Sequence, residues 1–238
     1  MHNDLKKIKS FESPPRIIKD FINAKEISQF LELYRELPVT INNLKQKVIK
    51  KRWLEGFGKE LEVLFKDRLE SVIGNFKMDN FITEDKKECF GLFQESYNPI
   101  KLHVDAGFNL KDFIYKQTLL PLSDHGETVI FKNRFYGVST NFTNNENELL
   151  ENSSENLKKG KNARSDKHLK IFPDKNFNKD DHNKHLKHEN IENLKGLEIE
   201  LVYKWNLGDL LIFDRTNLHC SSSNIKNKKI GLTTFTKK

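Results

Sequence analysis

From about Phe76 onward the chain breaks into short apolar stretches separated by Asn, Asp, Gly and Pro, with no helical periodicity between them. Strands are expected near 88–97, 99–104, 113–122, 127–131, 197–204, 210–213 and 229–236. Parallel neighbours would need crossover segments, usually helices, and this part of the sequence shows no helical pattern. Strands that follow one another in this way must bury themselves against each other, which predicts a sandwich or barrel.

The first third has a different texture. Residues 16–22 ("RIIKDFI") read as a short strand after the Pro14-Pro15 break. Ala24 to Leu37 reads as an amphipathic helix, with Ile27, Phe30, Leu31 and Tyr34 on one side and Pro38 as its stop. A second helix is expected from about Gly58 to Ile73, with Leu61, Leu64, Phe65, Leu69 and Val72 at helical spacing. Both are expected to brace the β region, giving a mainly β, α+β chain. The cationic run between them, "KQKVIKKRW", reads as a solvated face.

Between about Ser139 and Lys195 both periodicities fail. Residues 143–167 are rich in Asn, Glu, Lys and Ser and cannot bury enough apolar surface to offset their ordering entropy. That stretch is expected to be disordered or a mobile loop, and the segment from Leu169 onward to dock back onto the body. The chain therefore reads as one domain over 1–238. It has a supporting region at 16–75, a β core at 76–138 and 196–238, and a polar insertion at 139–195 that is a lid or a linker.

Composition fits this division. Only 36% of residues are hydrophobic against 32% charged, as expected of a normal core diluted by a polar segment. The net charge of +7 comes from scattered lysines without an arginine stripe, so nucleic-acid binding is not indicated. Two cysteines, Cys89 and Cys220, give no disulfide framework and fit a reducing compartment. The N-terminus lacks the apolar core of a signal peptide and no eighteen-residue apolar run exists, so a cytoplasmic location without membrane contact is expected.

Within the β region, "KLHVDAG" places His103 and Asp105 two residues apart on a strand, and therefore on one face. A lone H-x-D is an ordinary surface feature. Further on, "GDLLIFDRTNLH" brings His219 after a buried strand, and Lys229 opens the last strand ten residues later. Two imidazoles and one carboxylate form a facial triad suited to Fe(II), with three coordination positions left open.

This combination resembles the iron- and 2-oxoglutarate-dependent dioxygenases over roughly Glu88 to Phe235, together with the bracing helices. "GETVIF" at 126–131 and "GDLLIFD" at 208–214 are similar to two of the family's strand signatures. The resemblance implies a double-stranded β-helix, or jelly roll, with His103, Asp105 and His219 as iron ligands and Lys229 holding the far carboxylate of 2-oxoglutarate. A lysine rather than an arginine there resembles the prolyl-4-hydroxylase-like branch. Strand alternation puts Thr233 on the face of Lys229, where it can add a hydroxyl, and turns Lys228 away. The implied reaction is hydroxylation of an unidentified substrate with release of succinate and CO2. It uses Fe(II), 2-oxoglutarate and O2, with ascorbate as a reductant. Asp105 argues against a halogenase, which lacks that carboxylate.

Two other classes stay open on the sequence: a non-catalytic jelly-roll binding module, and a cupin-type metal enzyme that does not use 2-oxoglutarate. The substrate stays open too, between peptidyl proline, another side chain, a small metabolite and a nucleobase. So does the oligomeric state. Tyr97 and Gln117 read equally well as pocket lining and as core packing, and Arg215 is expected near the pocket mouth, in reach of substrate. His182, His185 and His188 read as solvated histidines of the insertion or part of a lid. Cys220 reads as a small core residue, and Trp53 and Trp205 as core or rim packing.

Overall fold

The computed structural model describes residues 2–44, 47–82, 86–105, 113–137, 140–142, 163–164 and 175–238. Helix α1 (His2–Ser10) precedes strand β1 (Arg16–Ile18), helix α2 (Ala24–Glu36), strands β2 (Ile41–Asn43) and β3 (Val48–Leu54), and helix α3 (Lys59–Ile73). Next come β4 (Lys77–Met78), β5 (Phe81–Ile82), β6 (Glu88–Ser96), β7 (His103–Val104), β8 (Ile114–Pro121), β9 (Glu127–Arg134), β10 (Thr140–Phe142) and β11 (Ala163–Arg164). Helix α4 (Lys179–His185) and a 3-10 turn (Ile191–Leu194) lead into β12 (Ile199–Lys204), β13 (Leu210–Asp214), β14 (Asn217–Ser221) and β15 (Lys229–Lys237).

Two mostly antiparallel sheets face each other as a jelly roll. The larger has the order β1-β13-β8-β15-β6-β3-β2, with β4 and β5 at its margins; the smaller has the order β11-β10-β7-β14-β9-β12. Ile130, Tyr203, Trp205, Leu211 and Phe213 pack between them. On the outer face of the large sheet, α2 and α3 bury Phe30, Leu33, Phe65 and Leu69 against Trp53, Phe93, Ile212 and Leu232. Each such side chain contributes roughly 1.5–3 kcal/mol by leaving water.

Local chemistry fixes these helices. Asn23 accepts the Glu26 N–H at 3.0 Å and Glu26 accepts the Asn23 N–H at 2.8 Å, a capping box that starts α2. The same Glu26 carboxylate takes both Arg68 terminal nitrogens at 2.7 Å, tying α3 to the start of α2.

Several expectations need correction. The run "KQKVIKKRW" is not a solvated face: from Val48 it forms β3, pairs with β6, and fully buries Trp53. The strand expected at 16–22 is present as β1, but the supporting region also contributes the unforeseen β2 and β3 to the large sheet. Helix α1 was not foreseen; its Ile8 joins the cluster outside the small sheet.

The disorder expected over 143–167 falls almost entirely on residues outside those described. The later part of the insertion does dock: Phe177, Leu186 and Leu194 pack with Val129, Phe131 and Leu218. The histidines there are not solvated. His185 is buried with Nδ1 3.0 Å from Glu127 Oε2, and His188 Nδ1 lies 2.9 Å from Ser223 Oγ. Burial pushes the His188 imidazole down to about 4. No helix among the described residues is long and apolar enough to cross a membrane.

Candidate metal centre

Strands β7 and β14 are neighbours in the small sheet, and their register sets His103 directly opposite His219. The two rings sit 4.1 Å apart between centroids. Asp105 follows β7 and returns toward both: its Oδ2 is 3.6 Å from His103 Nε2 and 3.5 Å from His219 Nε2. One ligand atom from each of the three residues lies within 4.8 Å of the others, a spacing that a single ion can bridge.

Backbone carbonyls select the tautomers. His103 Nδ1 is 2.7 Å from Lys101 O, and His219 Nδ1 is 3.1 Å from Asn217 O. A carbonyl only accepts, so each Nδ1 carries the proton and each Nε2 presents its lone pair to the shared space. Burial opposes the Asp105 charge, but His103 and His219 outweigh it and hold the carboxyl well below its ordinary range. Burial and the His103 charge lower His219. At His103 burial also opposes the charge, yet Asp105 outweighs it and raises the imidazole. A cation that displaces the proton shared by these groups would meet one carboxylate and two imidazole nitrogens, a donor set that fits a divalent metal.

Gln117, on β8, donates from Nε2 to Asp105 Oδ2 at 3.0 Å, and its buried Oε1 has no partner among the described residues. Of its two expected roles, placement beside the candidate ligands is the one observed. Arg215 differs from expectation. It is not at a mouth but 1% exposed, donating from Nε to the Asp105 carbonyl at 3.2 Å and from a terminal nitrogen to Asp79 Oδ2 at 2.6 Å. It braces the Asp105 backbone. Tyr97 also departs from its expected place, since its hydroxyl donates to Glu95 on the helix-covered face of β6.

Alternation separates Lys229, which opens β15, from Lys228 just before it. Lys228 points outward and lies 3.4 Å from Glu95 Oε2. Lys229 points between the sheets, 2% exposed, donating to Ser221 Oγ at 2.8 Å and lying 4.5 Å over the Trp205 ring. Among the described residues no carboxylate reaches its ammonium, and burial lowers its pKa to about 8. A buried cation without a counter-ion is costly, so an anion brought beside Lys229 would favour its charged form. Thr233 shares the face of Lys229, with Gly231 between them; a Cβ at Gly231 would meet Trp205 and Leu119 at 3.0 Å.

Ser221 was missed in the sequence, although its position two residues after His219 on one strand was the available signal. Trp205 is the buried side chain expected, its Nε1–H donating to Thr128 Oγ1 at 2.9 Å. Cys220 is buried on the opposite face, as expected.

No protein-family model and no curated protein matches the sequence. Solved structures do match. An oxidoreductase of the 2OG-Fe(II) oxygenase family from Burkholderia pseudomallei aligns with a TM-score of 0.51 at 10% identity, over 98% of this chain and 89% of that one. HygX from Streptomyces hygroscopicus, with nickel, 2-oxoglutarate and hygromycin B bound, aligns at 0.51 and 10% identity over 100% of this chain and 86% of its own. The non-heme alpha ketoglutarate dependent carbocyclase SnoK from nogalamycin biosynthesis aligns at 0.50 and 8% identity, over 98% and 83%. The chain has the jelly-roll fold of the 2OG-Fe(II) oxygenases.

Proposed function

We propose that this protein is an Fe(II)- and 2-oxoglutarate-dependent oxygenase that hydroxylates its substrate. His103, Asp105 and His219 would hold the iron; Lys229, with Ser221 and Thr233 beside it, would hold the far carboxylate of 2-oxoglutarate. The observation that carries this reading is Lys229, an ammonium buried between the same two sheets as the His-Asp-His cluster with no counter-ion among the described residues. A cupin-type centre or a binding module that has lost its chemistry gives no reason for that unpaired charge.

When bound, iron with 2-oxoglutarate and dioxygen supplies the power to oxidise a substrate C–H bond, with release of succinate and CO2. The protein's own groups do the rest. The Lys101 and Asn217 carbonyls fix the two imidazole tautomers, and Gln117 and Arg215 hold the side chain and backbone of Asp105. Lys229 gives the cosubstrate a point charge and an orientation, and Phe213, packed 4.9 Å from the His219 ring, covers one side of the centre. Formal charges on metal, Asp105, cosubstrate and Lys229 sum to roughly zero, which a partly buried site tolerates.

The test is anaerobic addition of Fe(II) and 2-oxoglutarate, followed in the visible spectrum. The wild-type protein is expected to develop the weak charge-transfer band of a chelated 2-oxo acid, and His103→Ala, Asp105→Ala and His219→Ala each to lose it. An undiminished band in Asp105→Ala would remove that carboxylate from the ligand set.

A further inference from the structure

Between the two sheets, beyond the metal cluster, the large sheet presents a floor that is open to solvent. Along β6 the exposure alternates: Gly91, Phe93 and Glu95 are buried under the helices, while Leu92 and Gln94, on the inner face, are half-exposed. Register extends that inner face onto β3, where Lys50 stands opposite Gln94 and Arg52 opposite Leu92. On the other side of β6, Gln94 and Leu92 stand opposite Gly231 and Thr233. Lys50 and Arg52 thus lie on the same inner face as Lys229 and Thr233, two strands away. Lys51, between them, points the other way, its Nζ donating to the Tyr34 carbonyl at 2.7 Å.

Both cations are half-buried, and Lys50 is close enough for its charge to act on the His103 ring. Among the described residues Arg52 has no carboxylate partner; the group its charge acts on is the buried Cys89 thiol. A charged pair on a cleft floor, facing the candidate ligands from the open side, lowers the potential for an anion there. The guanidinium fork matches the two oxygens of a carboxylate or phosphate.

We propose that Lys50 and Arg52 form the substrate-anchoring subsite, and that the substrate carries an oxyanion group, carboxylate or phosphate, which they bind. This rests on the oxygenase reading for the word substrate, but the anion site itself does not need it. With the anion held on β3, the remainder of the molecule lies across Leu92 and Gln94 toward His103 and Asp105. An uncharged metabolite or an unmodified neutral side chain is then a poor substrate.

The experiment uses full-length, ¹⁵N-labelled, Zn(II)-loaded protein, titrated separately with inorganic sulfate, standing in for phosphate, and with acetate. The Arg52 Nε–H resonance, assigned by its loss in Arg52→Gln, is expected to shift and saturate with at least one of the two anions, and the tighter one distinguishes phosphate-like from carboxylate chemistry. In Lys50→Gln the apparent Kd is expected to rise at least fivefold, and in Lys228→Gln, altered on the opposite face, to stay unchanged. An Arg52 resonance that neither anion moves, or an unchanged Kd in Lys50→Gln, overturns the proposal. Zinc occupancy, read from the His103 and His219 ring resonances in the same samples, tests the metal reading separately: zinc that fails to bind counts against the metal centre, while the Arg52 titration still decides the anion site.

Discussion

Lys229 is the side chain on which the cosubstrate reading turns. With its ammonium buried against Ser221 and Trp205, removing it takes away one partner of the expected charge pair. Lys229→Ala is therefore expected to weaken 2-oxoglutarate binding by roughly 2–4 kcal/mol, measured by anaerobic titration, while Lys228→Ala leaves it unchanged. The pH dependence has a definite sign. Below about 8 the free lysine is protonated and ready for the anion; above it burial favours the neutral amine, so affinity falls with rising pH. Cys220 and His188 are the other titratable groups whose charges couple to it, and both stay neutral there, the thiol pushed up and the imidazole pushed down by burial. Affinity that rises steadily above pH 8 would remove Lys229 from the site. These residues were legible because a period of two assigns faces without knowledge of the fold: His103 with Asp105, and Lys229 with Thr233 but not Lys228. Arg215 was not legible. Its partners, Asp79 and the Asp105 carbonyl, are more than a hundred residues away in the chain, and no local pattern signals them.

At the level of elements, the docked end of the polar insertion carries the clearest consequence. Glu189 accepts the Leu102 N–H at 2.6 Å, just before β7, and the His185 carbonyl accepts the Ser223 N–H just after β14. The segment from α4 to the 3-10 turn thus clasps the approach to both histidine-bearing strands. Replacement of 143–162 by a Gly/Ser link long enough to return from the end of β10 to the start of its parallel neighbour β11 is expected to leave the thermal midpoint nearly unchanged, because loop-closure entropy varies slowly with length. Deletion extended through residue 190 is expected to unfold the protein or lower its midpoint by many degrees. Leu186→Ala, at a fully buried position, is expected to cost about 2–5 kcal/mol in denaturant unfolding. A protein as stable after the long deletion as after the short one would show that the clasp is dispensable. That the segment from Leu169 onward docks was legible from its apolar residues; where it docks was not, because Glu189 and His185 meet partners that no local pattern signals. Strand β3 was hidden for a different reason: its helix-facing Lys51 and inward Lys50 and Arg52 are all cationic, which erases the alternation that would have marked a strand.

The whole molecule follows from two constraints that the sequence displays openly. Consecutive short strands without crossovers lead to two facing antiparallel sheets, and the apolar stripes of α2 and α3 have one sheet face to cover. Pairing order was not legible, because β7 and β14 meet across more than a hundred residues and only their hydrogen-bond register shows His103 opposite His219. That meeting sets the two histidines and Asp105 between the sheets, with Lys229 also turned into that interior, an arrangement that suits the proposed metal-dependent oxidation. The most direct measurement is the fate of 2-oxoglutarate itself. Aerobic protein supplied with Fe(II) is expected to convert it to succinate and CO2 in equal amounts, slowly without substrate. This conversion is expected to vanish on chelation of the iron and in His219→Ala. Iron-loaded, folded protein that leaves 2-oxoglutarate intact under air, with and without candidate anionic substrates, would contradict the account.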